Sequence, residues 1–293
     1  MMLWRNSMQY CASVIKMPEI FVEDVPAAKP FFLGLEETHA LAQAVTSGRL
    51  PARVYVDDAS SPKAGVMVFN SRILCGGAGA KSGLVRVLSD WFTAGLIPAH
   101  LNAGNDAFLI CYSGDEWKTL LEEMFKPYKI FHRERQYYEI NDFQPAPSVA
   151  LPQGYSIQMI THEFLSSGLK GLDAIREEMC SERLSVDDFL EHSFGLCPVY
   201  DGEIAGWCMS EYNVDRRCEI GIATLEKHQQ KGIATLATRH FLTEAYHRGY
   251  TRVGWDCWKG NIASGATACR AGLRLVEEYT AMVVVLERDA SQN

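Results

Sequence analysis

A strand followed at once by an amphipathic helix, between residues 217 and 248, constrains the fold of this 293-residue chain more than any other feature. The segment "RCEIGIAT" (217–224) is rich in the apolar and β-branched residues that favour strands. Four apolar residues of the helix recur at four-residue spacing and form one stripe: Ile233, Ala237, Phe241 and Ala245. Gly249 ends the helix. Such a stripe must be buried, so the segment predicts an α/β unit in which the helix packs on a sheet.

The start of that helix lacks the side chain that usually caps a helix. In "HQQKGIATLATRHF" (228–241), no Ser, Thr, Asp or Asn stands at the cap to accept a hydrogen bond from the unpaired backbone N–H groups. Gly232 and Ala234 leave the backbone open to close approach, and Lys231 adds a positive charge. Exposed N–H groups and the positive end of the helix dipole bind anions. Water or a bound anion can therefore supply the acceptor, and the segment suits a pyrophosphate.

The segments around this helix complete an α/β pattern. "CPVYD" and "EIAGWCMSEYN" flank Gly202 and predict a strand hairpin that turns on Asp201 and Gly202. "TRVGWDCW" (251–258) predicts a strand, "NIASGATACRAG" (261–272) a short helix, and "LRLVEEY" with "AMVVVLE" a closing pair of strands.

A proline-rich segment divides the chain into two halves. Residues 141–155 contain Pro145, Pro147 and Pro152, which forbid a regular helix or a central strand. We expect an N-terminal α/β domain over 1–144, a linker over 145–154 and a second domain over 155–293.

The N-terminal half repeats the order of elements of the C-terminal half. "ARVYVDDASSPKAGVMVF" resembles "CPVYDGEIAGWCMS", and strands and helices then alternate in matching order in both halves. Either the chain contains a duplication, or two α/β units share a common order without common ancestry. "AKSGLV" (80–85) would align with "QQKGIA", but Ala80 and Val85 replace Gln229 and Ala234. We therefore expect no anion site in the first half.

The glycine-rich stretch "GGAGAKSG" (76–83) matches neither of two nucleotide-binding motifs. A Walker loop requires glycine immediately before the lysine, where this chain has Ala80. The pattern G-x-G-x-x-G fails at Ser82. We expect a mobile turn.

Composition narrows the partners and the compartment. A net charge of −8 and a pI near 5.5 argue against a nucleic-acid surface and favour neutral or cationic partners. Nine scattered cysteines without a C-x-x-C motif predict reduced, buried thiols and no metal site. No apolar run approaches the ~20 residues of a membrane span. We expect a soluble cytoplasmic protein that contacts neither nucleic acid nor membrane, and the sequence leaves a homodimer open.

The motif Gln229-x-x-Gly232-x-Ala234, after a strand and at the start of a helix, resembles the acyl-CoA-binding motif of the GCN5-related N-acetyltransferase (GNAT) superfamily, Q/R-x-x-G-x-G/A. Downstream, Asn261 and Ser264 followed by "AGL" resemble the N-x-x-(A/S)…G-F helix of that superfamily, with leucine in place of phenylalanine. The resemblance covers roughly residues 155–287. The long N-terminal half, "EIGIAT" and "WDCW" are further similar to bacterial acetyltransferases of the zwittermicin-resistance type.

This resemblance implies a mixed, twisted α/β (α+β) sheet of GNAT type, preceded by a degenerate GNAT-like N-terminal half without a CoA site. Its central strands, 217–224 and 251–257, would splay apart, and acetyl-CoA would enter the gap as co-substrate, with no metal. Asn261 would hold the pantetheine arm, cap the following helix, or do both. The implied cofactor-binding residues are Ile222, Thr224, Gln229, Gln230, Lys231, Gly232, Ile233, Ala234, Thr235, Asn261 and Ser264.

The resemblance also points to two carboxylates as general bases. Glu219 lies near the position where some members of the superfamily carry a base, and Glu211 is the second candidate. The alternative for Glu219 is a strand carboxylate that faces solvent or pairs with Arg216 or Arg217.

The general acid of the superfamily is missing from its usual place. That acid is a tyrosine seven residues after the motif asparagine, where this chain has Ala268. Tyr279, Ser264 or water could take the role, and the spacing does not choose among them.

Three functions remain open at this point. The leading hypothesis is an N-acetyltransferase that moves an acetyl group from acetyl-CoA to a primary amine of a small molecule by direct attack. A non-catalytic acyl-CoA-binding sensor or interaction module is the alternative that Ala268 favours. A peptide or protein N-acetyltransferase is the third.

Overall fold

The computed structural model describes residues 19–20, 27–58, 60–78, 84–145 and 150–288. Their contacts divide into two compact units. Unit 1 contains the described residues of Met1–Leu35, Pro51–Arg133 and Ala281–Asn293, and unit 2 contains those of Glu36–Leu50 and Glu134–Thr280. Each unit is therefore assembled from separate stretches of the chain.

The elements of the first part of the chain are, in order, β1 (Glu19–Ile20), α1 (Lys29–Glu36), α2 (Ala40–Thr46), β2 (Arg53–Val56), β3 (Ala64–Phe69), β4 (Arg72–Gly77), α3 (Leu84–Trp91), a π-helical segment (Phe92–Leu96), α4 (Ile97–Asn102), β5 (Ala107–Tyr112), α5 (Asp115–Met124) and β6 (Tyr128–Asn141). Those of the second part are β7 (Tyr155–Met159), α6 (His162–Leu165), α7 (Leu172–Glu182), α8 (Val186–His192), β8 (Gly195–Tyr200), β9 (Glu203–Ile204), β10 (Gly206–Val214), β11 (Arg217–Thr224), a 3₁₀ turn (Glu226–His228), α9 (Ile233–His247), β12 (Arg252–Trp258), α10 (Ile262–Ala271) and β13 (Arg274–Arg288).

Unit 1 is a sheet covered by helices. Its strands follow the order β1-β2-β3-β4-β5-β13, antiparallel except for the parallel pair β4 and β5. Phe92, Phe108 and Trp117 lie in its core. The indole N–H of Trp117 donates to the carbonyl of Gly77 at 2.9 Å, which ties α5 to the end of β4. The unit can bury a core of its own because each strand turns apolar residues toward the helices.

Unit 2 has a mixed sheet with strand order β6-β12-β11-β10-β8-β7, and β9 pairs with β8. Only β11 and β12 run parallel; the other neighbours are antiparallel. Helices α9 and α10 pack on one face through Phe241, Ala237 and Ala268. Helix α2 contacts β10 and β11. In β11, Cys218 and Ile220 pack on the face that α9 covers, so Glu219, which stands between them, points to the opposite face. The first amide of α2 donates to Glu219, and α2 therefore covers that opposite face.

The predicted mixed α/β fold is confirmed, down to most of its elements. The hairpin turns on Asp201 and Gly202, both with positive φ, as expected for a two-residue turn. Most of the expected helices and strands form at nearly the predicted positions. The predicted closing pair of strands, "LRLVEEY" and "AMVVVLE", is instead one continuous strand, β13 (Arg274–Arg288), because no turn interrupts the chain between the two segments. The aligned segment "AKSGLV" and the turn at 76–83 lie largely outside the described residues, so the expectations about them stay predictions.

The two units differ from the linear halves 1–144 and 155–293 that the prolines suggested. Strand β6 leaves unit 1 and continues into unit 2, and β13 returns from unit 2 into unit 1. The described part of the segment 145–154 forms no helix or strand and lies within the sequence span of unit 2. Prolines end a strand because they remove a backbone donor, but they do not decide which residues pack together.

The cysteines follow their prediction in most positions. Eight described cysteines are free thiols, and six of them are buried. Cys180 and Cys269 are exposed instead, because they lie on the outer faces of α7 and α10. Within the described ranges, no helix is both long enough and apolar enough to cross a membrane.

Candidate active site

The central strands of unit 2 separate, as predicted. Strands β11 and β12 pair at three positions, from Arg217 opposite Arg252 to Glu219 opposite Gly254. Both strands continue beyond that point, to Thr224 and Trp258, without further paired positions in their register. A gap therefore opens between them at the carboxyl end of the parallel pair.

A cleft of about 390 Å³ lies along this gap. Its walls come from β11, the turn before α9, the first turn of α9, β12 and one face of α10. The lining residues are Ile222, Ala223, Thr224, His228, Gln229, Gln230, Gly232, Ile233, Ala234, Thr235, Trp255, Asn261, Ala263, Ser264, Thr267 and Arg270. Of the eleven residues expected to bind the cofactor, the structure brings ten together here, and Lys231 is the one outside.

The start of α9 has the open geometry that its sequence predicts. Gly232 is the cap residue, in the left-handed region with φ of 77°, and no side chain caps the helix there. A Cβ on Gly232 would meet no atom within 4 Å, so the backbone angle rather than crowding requires glycine. Gln230 also has a positive φ, of 59°. These two residues turn the chain at the start of α9, whose first N–H groups have no intrahelical acceptor and belong to residues that line the cleft.

Two side chains of the same turn donate hydrogen bonds to nearby backbone carbonyls and so stabilise the turn. The Gln229 amide donates from Nε2 to the carbonyl of Thr224 at 3.0 Å, joining the turn to the end of β11. The Lys231 ammonium donates to the carbonyl of Lys227 at 2.7 Å. The charge of Lys231 lies close to the turn, but the side chain does not line the cleft.

The opposite wall is the first turn of α10. The Asn261 side chain accepts a hydrogen bond from the amide of Ser264 at 3.1 Å and caps the helix. The Ser264 hydroxyl accepts from the indole N–H of Trp255 at 3.0 Å. Asn261 therefore caps α10, one of its two expected roles. Its other expected role, contact with the pantetheine arm of the cofactor, stays a prediction.

The charges around the cleft favour an anion. No Asp or Glu is among the sixteen lining residues, although the chain carries a net charge of −8. Arg270 supplies a positive charge. Burial lowers the pKa of His228, and the neighbouring charges of Lys227 and Lys231 lower it further, so the ring is neutral at pH 7. Its Nδ1 bonds to the hydroxyl of Tyr155 at 2.8 Å.

Glu219, the first candidate base, is part of a buried network. Its Oε1 accepts the amide of Ala40 at 2.7 Å and lies 3.4 Å from the Arg217 guanidinium. Arg217 also donates to the backbone carbonyls of Glu36 and Glu37. Glu219 is 6 % exposed and does not line the cleft. Its pairing with Arg217 was the structural alternative, and the structure shows that pairing.

Glu211, the second candidate, lies against the separating part of β11. A Cβ on Gly221 would stand 1.8 Å from Glu211 Oε1 and 2.8 Å from its Cδ. The carboxylate therefore occupies the space that a side chain at position 221 would take. Gly221 immediately precedes the cleft residue Ile222, and Glu211 is only half-buried.

A bulge follows Glu211 in β10. The register with β11 shifts between Glu211 and Val214, and Tyr212 has a φ of 51°. A positive φ in a large residue is rare, and bulges of this kind re-aim neighbouring side chains next to functional sites. The bulge is a local reason for the placement of the Glu211 carboxylate.

Tyr279, the candidate acid, belongs to a polar cluster on β12. Its hydroxyl donates to Asp256, and the Arg135 guanidinium bonds to Asp256 at 3.0 Å and to the Tyr279 oxygen at 3.2 Å. The ring of His39 packs edge-on against Tyr279, with centroids 5.0 Å apart. Asp256 follows the cleft residue Trp255 in β12, but its side chain points to the other face of the strand, and no residue of this cluster lines the cleft. Ala268, at the usual place of the acid, is fully buried.

Several residues of the cleft were not predicted from the sequence. His228, Trp255, Ala263, Thr267 and Arg270 line it. The residues on α10 follow helical spacing from Ser264, and this periodicity was the available signal. No local sequence pattern predicts the contact of Ala40 with Glu219, because the two residues are 179 positions apart. Within the described part of the chain, no group of three or more His, Cys, Asp or Glu side chains could hold a metal ion.

Comparison with known families settles the class of the protein. The family model described as GNAT acetyltransferase matches residues 29–282. The chain belongs to the GNAT acetyltransferase family. Membership assigns this GNAT protein to the acyltransferases, and the match includes most of both units.

Relatives of known sequence or structure agree with that assignment. The chain is 25 % identical over 239 residues to an uncharacterised N-acetyltransferase, YdfB, of Bacillus subtilis, covering 79 % of this chain and 85 % of the relative. A GCN5-related N-acetyltransferase-like protein of Streptococcus suis superposes with a TM-score of 0.67 at 18 % identity, over 89 % of this chain and 98 % of the other. A GCN5-related N-acetyltransferase of Sphaerobacter thermophilus superposes with a TM-score of 0.61 at 17 % identity, over 94 % of this chain and 95 % of the other.

A tandem arrangement occurs among the similar folds. A protein described as a tandem GNAT protein from the clavulanic acid biosynthesis pathway gives a TM-score of 0.58 at 11 % identity, over 94 % of this chain and 99 % of the other. At this identity the likeness concerns the fold alone. It fits the two-unit architecture of the present GNAT protein.

Proposed function

We propose that this GNAT protein transfers an acetyl group from acetyl-CoA to the primary amine of a small molecule by direct attack. The observation that carries the proposal is the cleft between β11 and β12, which ends at the uncapped start of α9 and has no carboxylate in its lining. These features fit an extended thiol cofactor that carries a diphosphate. The residues expected to hold it are those of the turn at 229–235, the edge of β11 at Ile222 and Thr224, and Asn261 with Ser264.

The diphosphate would take the hydrogen bonds that the start of α9 offers. Gly232 holds the turn in the left-handed conformation that aims consecutive N–H groups into the cleft. The pantetheine arm would lie along β11, because β12 has already left that edge beyond Glu219. A backbone N–H near Ile222 to Thr224 would stabilise the negative charge that develops on the thioester oxygen.

Glu211 is the better candidate for general base. Its carboxylate lies on Gly221, beside the gap, whereas the Glu219 carboxylate is occupied by Ala40 and Arg217. An alkylamine has a pKa near ~10, so a nearby carboxylate that accepts a proton helps the amine attack at neutral pH. As the C–N bond forms and the C–S bond breaks, the thiolate needs a proton. Tyr279 stays the candidate donor, although its hydroxyl now donates to Asp256 and the residue does not line the cleft.

A non-catalytic acyl-CoA sensor remains the second candidate. The observation in its favour is Ala268, which is fully buried and leaves no acid at the position used by most relatives. A peptide acceptor in place of a small amine is the third possibility, and it shares the same cleft. The sequence expectations that the protein contacts neither nucleic acid nor membrane stay predictions, and the homodimer that the sequence left open stays open.

One assay separates these functions. The purified chain is incubated with acetyl-CoA and panels of small amines and of peptides, thiol release is followed, and CoA binding is measured by calorimetry. Thiol release that depends on a small amine supports the proposal. CoA binding without release on either panel supports the sensor, release on peptides alone supports the third function, and absence of CoA binding contradicts all three.

A further inference from the structure

The face of α10 that lines the cleft has small side chains in its first turns and an arginine in its last turn. Ala263, Ser264, Thr267 and Arg270 lie at spacings that place them on one side of the helix. The first three side chains are small and leave the cleft open. The fourth is a long, exposed cation at the end of the cleft wall.

A second guanidinium lies beside Arg270. Arg239 of α9 donates from Nη2 to the backbone carbonyl of Arg270 at 2.9 Å. Among the described residues, neither Arg239 nor Arg270 has a carboxylate within ion-pair distance. Five other arginines of unit 2 do have one: Arg135, Arg176, Arg217, Arg248 and Arg252. The end of the cleft is therefore a patch of uncompensated positive charge in an acidic protein.

The distance from this patch to the start of α9 is suited to the 3′-phosphate of a coenzyme A whose diphosphate binds at the start of α9. Arg239 stands six residues after Ile233, which places it about 9 Å along the helix from the open N–H groups. Coenzyme A carries its diphosphate and its 3′-phosphate on the same ribose. A cofactor whose diphosphate binds the start of α9 would thus bring the 3′-phosphate within reach of a long side chain from this patch.

We propose that Arg270 binds the 3′-phosphate of coenzyme A and makes the protein discriminate CoA from 3′-dephospho-CoA. The inference rests on the proposed function, since it assumes that CoA occupies the cleft. A planar guanidinium is suited to paired hydrogen bonds with a phosphate, and the 3′-monoester is the most highly charged phosphate of the cofactor at neutral pH.

A purely structural role for Arg270 makes a different prediction. The residue lies in the last turn of α10, where a positive charge interacts favourably with the helix dipole. Loss of that interaction would lower stability and affect all ligands alike. It would leave the ratio of the two affinities unchanged.

The test measures that ratio directly. Calorimetry at low ionic strength gives the Kd of CoA and of 3′-dephospho-CoA for the wild type, Arg270→Gln and Arg270→Lys, and thermal unfolding checks that each variant folds. Arg248→Gln is the matched control, since Arg248 is also an exposed arginine near a helix end but pairs with Glu244 and does not line the cleft.

We expect the wild type to bind CoA more tightly than 3′-dephospho-CoA by about tenfold, which corresponds to about 1.4 kcal/mol. Arg270→Gln should remove this preference by weakening CoA alone, Arg270→Lys should keep part of it, and Arg248→Gln should keep all of it. Equal affinities in the wild type, a preference that survives Arg270→Gln, or equal weakening of both ligands would overturn the inference while leaving CoA binding intact. Failure of the wild type to bind either ligand would instead remove the proposed function.

Discussion

The backbone amide of Ala40 donates a 2.7 Å hydrogen bond to the carboxylate of Glu219, 179 residues away in the sequence. Ala40 is the first residue of α2, whose cap residue His39 makes no side-chain capping bond. Glu219 therefore supplies the cap from a distant strand, and its negative charge also suits the positive end of the helix. The contact joins a segment from the N-terminal part of the sequence to the acetyltransferase sheet.

The first prediction separates the two candidate bases. Glu219→Gln should lower the free energy of unfolding by about 1–3 kcal/mol, because it weakens a charged hydrogen bond and leaves Arg217 with less compensation. Glu211→Gln should leave stability nearly unchanged but lower kcat by about 10²–10⁴-fold. Urea unfolding and steady-state thiol release measure the two effects. The opposite pattern, with an unchanged fold and lost turnover in Glu219→Gln alone, would reinstate Glu219 as the base.

A second prediction moves the Glu211 carboxylate without removing it. Gly221→Ala places a Cβ where Glu211 Oε1 now lies, and the flexible end of that side chain must shift. We expect kcat to fall toward that of Glu211→Gln while the melting temperature changes little. Gly260→Ala is the control, because a Cβ there meets nothing within 4 Å. Full activity in Gly221→Ala would show that the present position of the carboxylate is not required.

A third prediction compares the two glycines that flank α9. Gly232 and Gly249 have φ of 77° and 87°, and a Cβ on either meets open space. Replacement by alanine should cost about 1–2 kcal/mol at each position, because both are left-handed. Only Gly232→Ala should also weaken CoA binding, by about tenfold or more. The strained alanine would relax its backbone angle, and this change would move the N–H groups at the start of α9 that are proposed to bind the diphosphate. Equal CoA affinity in the two variants, measured by calorimetry, would contradict the assigned anion site.

A fourth prediction concerns stability at low pH. Burial lowers the pKa of His39 to about 3, and the charges of Arg135 and Arg217 contribute in the same direction. In the unfolded chain this histidine has a pKa near ~6.5, so between these two values the unfolded state binds a proton that the folded state does not. Stability should therefore fall as the pH is lowered from about 7 to 4, by up to about 1.4 kcal/mol per pH unit.

The contribution of His39 can be isolated by substitution. His39→Asn keeps a residue that suits a helix cap and removes the titrating ring, so its unfolding free energy should depend less on pH than that of the wild type. His247→Asn changes an exposed histidine at the carboxyl end of α9 and serves as the control. Parallel pH profiles for wild type and His39→Asn, measured by urea unfolding, would be inconsistent with a buried neutral His39.

The amino-acid sequence alone determined the local elements and the uncapped turn before α9. The strand, the uncapped helix start and the glycine at Gly232 follow from short-range rules of periodicity, capping and backbone angle, which act over a few neighbouring residues. For the same reason the order of elements in both halves, and most residues of the cleft, were predicted.

Only the tertiary structure decided which carboxylate lies against Gly221, which carboxylate is held by Ala40 and Arg217, and which residues form each unit. The placement of Glu211 depends on Gly221 across the sheet and on a bulge at Tyr212, and the capture of Glu219 depends on Ala40. Strands β6 and β13 each have residues in both units. These choices depend on packing and hydrogen bonding between residues far apart in the chain, and no local pattern encodes such pairings.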